Sequence, residues 1–216
     1  SRAAAIAETG DRVIVHEGVY REWVKPAHTG YSNISRITYE AAEGEKVVIK
    51  GSERIQNWEQ TEGTVWKAVV PNTLFGDYNP YQEILGGDWF LYPCADGPEG
   101  YCIHTGDVYL NGKSFFEAKS LEDVKNPVIR TEGYNPPWTK RTEPILHPED
   151  TVYQWYAQVD DENTTIYANF QGADPNRELV EINVRKCCFY PEKPGMNYIT
   201  AVSYTHLRAH ETLMNL

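Results

Sequence analysis

The sequence predicts an all-β protein in which two stretches of short, coil-forming strands flank an antiparallel β-sandwich. At both ends of the chain, short runs of β-branched residues are closed by turns that contain glycine. Between them, longer runs alternate apolar and polar residues, and one of these turns back at Asn111-Gly112. No sustained helical period accompanies these patterns, so a helical core is not expected.

Residues 1–51 are predicted to form a cap and the first turns of a coil of stacked strands. The Ala-rich run 3–8 predicts a short helical stub, and a coil of stacked strands needs such a cover over its open end. Short β-rich runs follow at 13–15, 37–39 and 47–49. Because β-branched residues occupy both faces of these runs, the runs are typical of coil rungs.

Residues 52–176 are predicted to form an inserted antiparallel sandwich. Trp, Tyr and Pro become frequent, and the alternating runs are "GTVWKAVVP", "GDVYLNGKSFFEA", "TVYQWYAQVD" and "TTIYANF". A second hairpin is expected near 161–163, where acidic turn residues separate two such runs. Trp58 and Trp66 have strand spacing and are expected in the core, and Trp155, in a strong strand, is expected in the core or on the sheet surface.

After Asn176 the pattern of residues 1–51, short β-rich runs separated by turns, returns. Residues 177–201 are therefore predicted to resume the coil. The runs "RELVEINVRKCCFY" and "NYIT" are separated there by the turn "PEKPG". The adjacent Cys187 and Cys188, with Cys94 and Cys102 in a Gly/Pro-rich loop, resemble neither a disulfide framework nor a zinc site. All four cysteines are therefore expected to be reduced.

The net negative charge of the chain argues against binding partners that are themselves strongly negative. Its formal net charge is −11 over 216 residues, which argues against nucleic acid or an anionic membrane surface. A neutral substrate such as a sugar is compatible with this charge. There is no run of eighteen apolar residues, so no membrane span is predicted.

Asp88 and Trp89, in "LGGDWF", are the candidate substrate-binding residues. Sugars present apolar C–H faces and hydroxyl edges, which an aromatic side chain beside a carboxylate can bind. The preceding glycines let the backbone approach a ligand closely. The alternative is that Trp89 begins a strand and packs in the core.

Other acidic and histidine residues have simpler interpretations. Asp160, Asp161 and Glu162 are expected to cap a turn, and Asp107 to begin a strand. His16 and Glu17 point to opposite faces of a strand, so a surface pair is favoured over a catalytic one. His104 and His147 have no convincing partners in the sequence, whereas the loop with Tyr78 and Tyr81 suits a sugar or a partner subunit.

Six ordered blocks resemble glycoside hydrolase family 120 over nearly all of residues 4–201. They are "GDRVIVHEGVYREWV", "RITYEAAEGEKVVIKGSERI", "FGDYNPY", "GDVYLNGKSF", "TTIYANFQGADPN" and "VEINVRKCCFYP". The first block alone is weak, because polysaccharide lyases on β-helices open in a similar way. The blocks in the region with the sandwich pattern make the resemblance specific.

The resemblance implies a retaining β-xylosidase on a right-handed parallel β-helix interrupted by an inserted β-sandwich. It implies that both catalytic carboxylates lie beyond residue 201, so this chain by itself is expected to be inactive. It also implies a small oligosaccharide substrate, no cofactor or metal, a homo-oligomeric parent protein and a bacterial cytoplasmic location. The alternatives are a lyase-type β-helix protein and a non-catalytic carbohydrate-binding or interaction module.

Residues 202–216 depart from the resemblance. His206, His210 and Glu211 have spacing that a helical metal site would use, but a third ligand and supporting hydrogen bonds are not evident. The eleven residues from Val202 to Thr212 match the translation of a sequencing-library transposon adapter. This tail is therefore interpreted as a non-native artefact without function.

Overall fold

The structure, a computed structural model, describes residues 1–86, 102–133 and 141–202, and the backbone of 206–208. Strands dominate, so the protein is all-β as predicted. The chain divides into two compact units, one comprising Ser1–Glu53 with Arg185–Leu216 and the other comprising Arg54–Val184. In the described part of the chain, no helix has both the length and the apolar character that crossing a bilayer requires.

The elements are short, and most are strands. In chain order they are α1 (Arg2–Ile6), β1 (Arg12–Val15), β2 (Gly18–Arg21), β3 (Ile37–Ala41), β4 (Val47–Lys50), β5 (Ser52–Arg54), β6 (Glu59–Glu62), β7 (Val65–Pro71), β8 (Val108–Leu110), β9 (Lys113–Ser114), β10 (Phe116–Glu117), α2 (Leu121–Lys125), β11 (Gln154–Val159), β12 (Asn163–Asn169), β13 (Val180–Asn183), β14 (Ile199–Val202) and β15 (His206–Arg208). Short 3₁₀ helices also occur at Asn72–Leu74 and Pro148–Val152.

The strands of the first unit pair only in parallel within its two three-stranded sheets. One sheet has the order β1-β3-β14 and the other the order β15-β4-β2. Parallel neighbours cannot be joined by a tight hairpin, so the chain must travel away and return between them. Residues 22–36 make such a connection after β2, where Val24 forms a parallel bridge with Phe189.

The core of the first unit lies between these sheets and α1. Its buried members are Ala4, Ala7, Val24, Ile37, Tyr39, Ile49 and Cys188. The Ser1 hydroxyl accepts the Ala4 N–H at 3.3 Å and caps α1, which buries its Ala4 side chain completely. The predicted helical stub is therefore confirmed, and it covers apolar side chains of the strands.

The second unit is built from two sheets that share one apolar core. The five-stranded sheet has the order β10-β11-β12-β7-β6, and the other sheet contributes β13, β8 and β9 in that order. Members of the core include Trp155 and Ile166 from the first sheet and Val108 and Ile182 from the second. Trp58 and Trp155 are 3% and 2% exposed and Trp66 packs against the cluster, which confirms the prediction for these tryptophans.

Both predicted hairpins are present. Strands β8 and β9 pair antiparallel around Asn111 and Gly112, whose φ angles of 54° and 84° are the positive values that a type I′ turn requires. Strands β11 and β12 pair antiparallel from Trp155↔Ala168 to Val159↔Thr164. Sequence signals for hairpins succeed here because two adjacent residues determine the turn.

The expected return to the coil at residue 177 is wrong for the first residues of that segment. Strand β13 pairs antiparallel with β8, with Val180 opposite Leu110, and it buries Val180 and Ile182 in the core of the second unit. The expected boundaries were 51/52 and 176/177, whereas the units divide at Glu53/Arg54 and Val184/Arg185. A buried sheet strand and a coil rung need the same apolar residues, so the pattern alone does not assign β13.

Candidate functional site

Buried polar and titratable side chains of the second unit gather around residues 103–107. This segment lies antiparallel to residues 83–85, with an isolated bridge between Ile84 and His104. The Leu85 N–H donates to the Ile103 carbonyl at 2.7 Å, and the Thr105 N–H donates to the Glu83 carbonyl at 2.9 Å. This pairing is termed the 84/104 bridge below. It joins the residues just before Gly86 to the residues just after Cys102.

Glu117 binds His104 by two contacts. Its carboxylate accepts the His104 main-chain N–H at 2.7 Å, and its other oxygen lies 2.6 Å from the ring Nδ1 of the same residue. The two side chains are 11% and 27% exposed. The prediction that His104 lacks a partner is wrong, because β8, β9 and β10 fold back and bring Glu117 to it.

Asn183 holds the other end of the segment. Its side-chain oxygen accepts the Asp107 N–H at 2.6 Å, and its amide nitrogen donates to the Thr105 carbonyl at 2.7 Å. Asn183 is 1% exposed, so these bonds replace water that the buried main chain cannot reach. The Thr105 hydroxyl lies 2.7 Å from the Tyr78 hydroxyl and so connects the segment to the preceding loop.

Asp107 is a half-buried residue whose carboxyl group is poorly solvated. It accepts the Val108 N–H at 2.7 Å and the Ser114 hydroxyl. Burial raises the pKa of Asp107 to about 7, although these hydrogen bonds act in the opposite direction by stabilising the charged form. Asp107 is therefore partly protonated near neutral pH, and its contacts order the start of β8.

Tyr81 packs under the same segment. Its hydroxyl donates to the Asp107 carbonyl at 2.6 Å, and its ring meets Trp155 edge to face at 5.3 Å between centroids. Burial, and next the nearby Asp107 carboxyl, raise the pKa of Tyr81 well above its usual value, so the hydroxyl remains a donor. Tyr81 is 3% exposed, so the expectation that it serves a sugar or a partner is wrong, because its ring completes the core.

Gly106 is required by this close packing. A Cβ atom at this position would lie 2.6 Å from Cδ1 of Tyr81 and 3.1 Å from the ring of Trp155. Those distances are shorter than van der Waals contact, so a side chain cannot be added without displacing an aromatic ring. The segment therefore has polar contacts along its length and an aromatic core beneath it.

The predicted substrate-binding residues Asp88 and Trp89 lie outside the described residues. Gly86 is the last described residue before them, one position beyond Leu85 of the 84/104 bridge. Sequence reasoning missed Glu117 and Asn183, since neither lies in a motif and both act on residues distant in sequence.

The remaining candidates are structural in the described geometry. Asp160 accepts the N–H groups of Glu162 and Asn163 at 2.9 and 2.8 Å, which confirms the turn cap and lowers the pKa of its carboxyl. The ring of His16 lies 3.1 Å from Glu45, so its partner is Glu45 and not the adjacent residue. His147 lies 3.3 Å from Glu149 on the surface, so the expectation that it lacks a partner is also wrong.

The cysteines differ from the prediction in one respect. Cys102 is disulfide-bonded, so the expectation of four reduced cysteines is wrong, because loop backbone can bring sulfur atoms together without a sequence motif. Cys187 and Cys188 are free thiols, and burial raises the pKa of Cys188 to about 12. Among the residues with described positions, no three His, Cys, Asp or Glu side chains are arranged to hold a metal ion.

Comparisons with known proteins give a family match and a structural match. The family model "Glycoside hydrolase 120, insertion domain" matches residues 55–182, which is more than half of the chain. A solved structure of XylC in complex with xylose is 57% identical and superposes with a TM-score of 0.87. That match covers 94% of this chain and 31% of the XylC chain, so this chain spans about a third of it. A search of curated proteins finds no match. The chain belongs to glycoside hydrolase family 120.

Proposed function

We propose that this chain is the amino-terminal part of a retaining β-xylosidase that acts on short xylo-oligosaccharides. The observation that carries the proposal is the 57% identity, over 94% of the chain, to XylC, whose structure contains xylose. The neutral charge of such a substrate suits a protein with a net charge of −11. No metal or organic cofactor enters the proposal.

The first unit is proposed to be the start of a right-handed parallel β-helix, and the second unit an inserted β-sandwich. The parallel, in-register pairing of β1 with β3 and of β3 with β14 supports stacked rungs. The shared core of the two sheets in the second unit supports the sandwich. Because 31% of the XylC chain is covered, further rungs are expected to follow β14 in the parent protein.

The catalytic carboxylates are proposed to lie on those further rungs, beyond residue 201. A retaining glycosidase needs a nucleophile and an acid/base whose carboxyl groups are about 5–5.5 Å apart. Asp107 is not proposed for either role, because its carboxyl is engaged by Val108 and Ser114 within the second unit. Residues 202–216 are proposed to be unrelated to the family and to carry no function.

Asp88 and Trp89 are proposed to contact the sugar. Trp89 would pack its ring against the C–H face of a xylose unit, and the Asp88 carboxylate would accept hydrogen bonds from two hydroxyl groups. Both residues follow the 84/104 bridge closely in the sequence, and the hydrogen bonds of that bridge hold the chain up to Leu85. Packing of Trp89 in the core is the competing outcome.

The parent protein is proposed to be a homo-oligomeric enzyme of the bacterial cytoplasm, on the basis of the family resemblance. The disulfide at Cys102 argues against that location, because disulfides persist mainly in oxidising compartments. A count of free thiols in protein isolated without reductant would distinguish the two locations.

The experiment that tests the function begins with the source DNA, read past codon 201. The full-length product and the 201-residue fragment are then assayed on xylobiose, with the anomer first released followed by proton NMR. We expect the full-length product to release β-xylose and the fragment to match the buffer blank. Initial release of α-xylose would exclude a retaining enzyme, and turnover by the fragment would show that the carboxylates lie within it.

A further inference from the structure

The turn at Asn111-Gly112 contains a chemically reactive pair of residues. Asn111 is the only asparagine in the sequence that is followed by glycine. In such a pair the main-chain nitrogen of the glycine can attack the side-chain amide carbon, because glycine has no side chain that hinders the approach. Both residues are exposed, so water reaches the turn. We propose that Asn111 is a deamidation site whose reaction rate is controlled by its hydrogen bonds to Glu178 and Leu179.

The reaction needs only the protein and water. The Gly112 nitrogen forms a bond to Cγ of Asn111, and the bond between Cγ and Nδ2 breaks. The proton of the Gly112 N–H passes through solvent to the departing nitrogen, which leaves as ammonia, and a five-membered succinimide remains. Water then adds to one of the two succinimide carbonyl carbons and breaks its bond to nitrogen. The product at position 111 is aspartate or isoaspartate.

The side chain of Asn111 is held at both of its polar atoms. Nδ2 donates to a carboxylate oxygen of Glu178 at 2.8 Å, and Oδ1 accepts the Leu179 main-chain N–H at 3.2 Å. The main-chain N–H of Asn111 donates to the Leu179 carbonyl at 2.8 Å. These three bonds join the turn to the residues just before β13. Rotation of the side-chain amide towards Gly112 breaks the two bonds that the side chain makes.

The main chain of the turn is also unsuited to ring closure. Asn111 and Gly112 have φ angles of 54° and 84°, the left-handed values of a type I′ turn. Ring closure needs Cβ of Asn111 to eclipse the Gly112 nitrogen about the Cα–C bond, and left-handed backbone does not have this rotation. The pairing of Leu110 with Lys113 maintains the turn. The reaction therefore requires the hairpin to open.

The hairpin lies where local opening is easiest. Strand β9 is two residues long, both residues are exposed, and the strand is at the edge of its sheet. Its side chains are tied to the unit by polar contacts, since the Lys113 ammonium binds Asp150 and the Ser114 hydroxyl donates to Asp107. Edge segments with few buried apolar contacts open at a lower free energy than a core does. The turn is therefore expected to open without unfolding of the unit.

Deamidation opposes reformation of the turn. Aspartate at position 111 has a carboxylate oxygen where Nδ2 was, next to the Glu178 carboxylate, and like charges in contact repel. Isoaspartate adds a carbon atom to the main chain of the turn and so disturbs the register of Leu110 with Lys113. Either product is expected to weaken the pairing of β8 with β9.

The test follows deamidation of the chain at pH 8 by peptide mass spectrometry, for folded protein and for protein unfolded in urea. Folded wild type is expected to react at Asn111 at least about fiftyfold more slowly than unfolded wild type. Glu178→Ala is expected to speed the reaction of the folded protein about fivefold, because it removes one hydrogen bond, and to leave the rate in urea unchanged. Glu178→Gln is expected to stay within about twofold of wild type, because its amide oxygen can accept from Nδ2.

Two control variants separate local from global opening. Glu149→Ala removes an exposed carboxylate of the same unit, whose partner is His147, and is expected to leave the rate unchanged. Ile166→Val weakens the core at β12, which is in the other sheet. If Asn111 reacts through local opening, Ile166→Val lowers Tm and does not change the rate.

The charge repulsion has its own test. Asn111→Asp is expected to lower Tm, and the double variant Asn111→Asp/Glu178→Gln is expected to regain most of that loss. Asn111→Gly keeps the positive φ that the turn requires and is expected to show no modification at this position.

The outcomes do not depend on xyloside hydrolysis. Equal rates in folded wild type and folded Glu178→Ala overturn the control of the reaction by Glu178. Equal rates for wild type with and without urea overturn protection by the turn. Acceleration of Ile166→Val as large as that of Glu178→Ala assigns the reaction to global unfolding, and modification found only at other asparagines overturns the site.

Discussion

Replacing Asp107 by Asn is expected to stabilise the second unit at pH 8 and to remove much of its pH dependence between pH 4 and 7. The wild-type carboxyl has a pKa of about 7 in the folded protein, raised from 3.8 chiefly by burial. Between these two values the unfolded chain has lost the proton and the folded chain retains it. The folded state therefore binds more protons, so wild-type stability falls as pH rises through this window and is constant above it.

The magnitude follows from the size of the shift. A change from 3.8 to about 7 is about three pKa units, which corresponds to an upper limit of about 4 kcal/mol. Asp107 is only partly buried by surface area, and water screens part of its charge, so we expect about 2 kcal/mol. The Asn side chain can accept the Val108 N–H and donate to the Ser114 hydroxyl oxygen, so the local contacts are retained.

The assay is urea unfolding of the whole chain at pH 4, 5, 6, 7 and 8, followed by tryptophan fluorescence. Trp58, Trp66 and Trp155 all lie in the second unit and report its unfolding. Asp160→Asn is the matched control with the opposite sign, because the pKa of Asp160 is lowered and its stabilising effect is lost as pH falls through that pKa. Equal pH dependence in wild type and Asp107→Asn would refute the reasoning.

Three further predictions concern packing and reactivity. Gly106→Ala is expected to cost about 1–3 kcal/mol in urea unfolding, because its Cβ would overlap Tyr81. Gly86→Ala, whose Cβ would have no atom of the described residues within 4 Å, serves as a nearly neutral control. Cys188 is expected to resist iodoacetamide at pH 8 until urea is added, since burial raises its pKa to about 12; alkylation of the native protein at that residue would contradict this. Amide exchange is expected to be slowest in β12, which is paired on both sides, and faster in β6 at the sheet edge; equal protection would oppose the strand order.

Much of the architecture could be predicted from the sequence, because it depends on local patterns. The all-β class, the hairpin at Asn111-Gly112 and the burial of Trp58 and Trp155 follow from periodicity, turn chemistry and side-chain size. The family also follows from short blocks spread along the chain. Each of these features is determined by residues within a few positions of one another or by the composition of one run.

The tertiary structure alone decided which distant residues meet. The assignment of β13 to the sheet of β8, the disulfide at Cys102, and the contacts of Glu117 and Asn183 join residues that no motif relates. A run of apolar residues satisfies a coil rung and a buried strand equally well, and a lone polar residue gains a role only when a buried main-chain group lies within hydrogen-bonding distance. The sequence by itself therefore determined the class of fold and the family, whereas the packing of the second unit determined which side chains hold the 84/104 bridge.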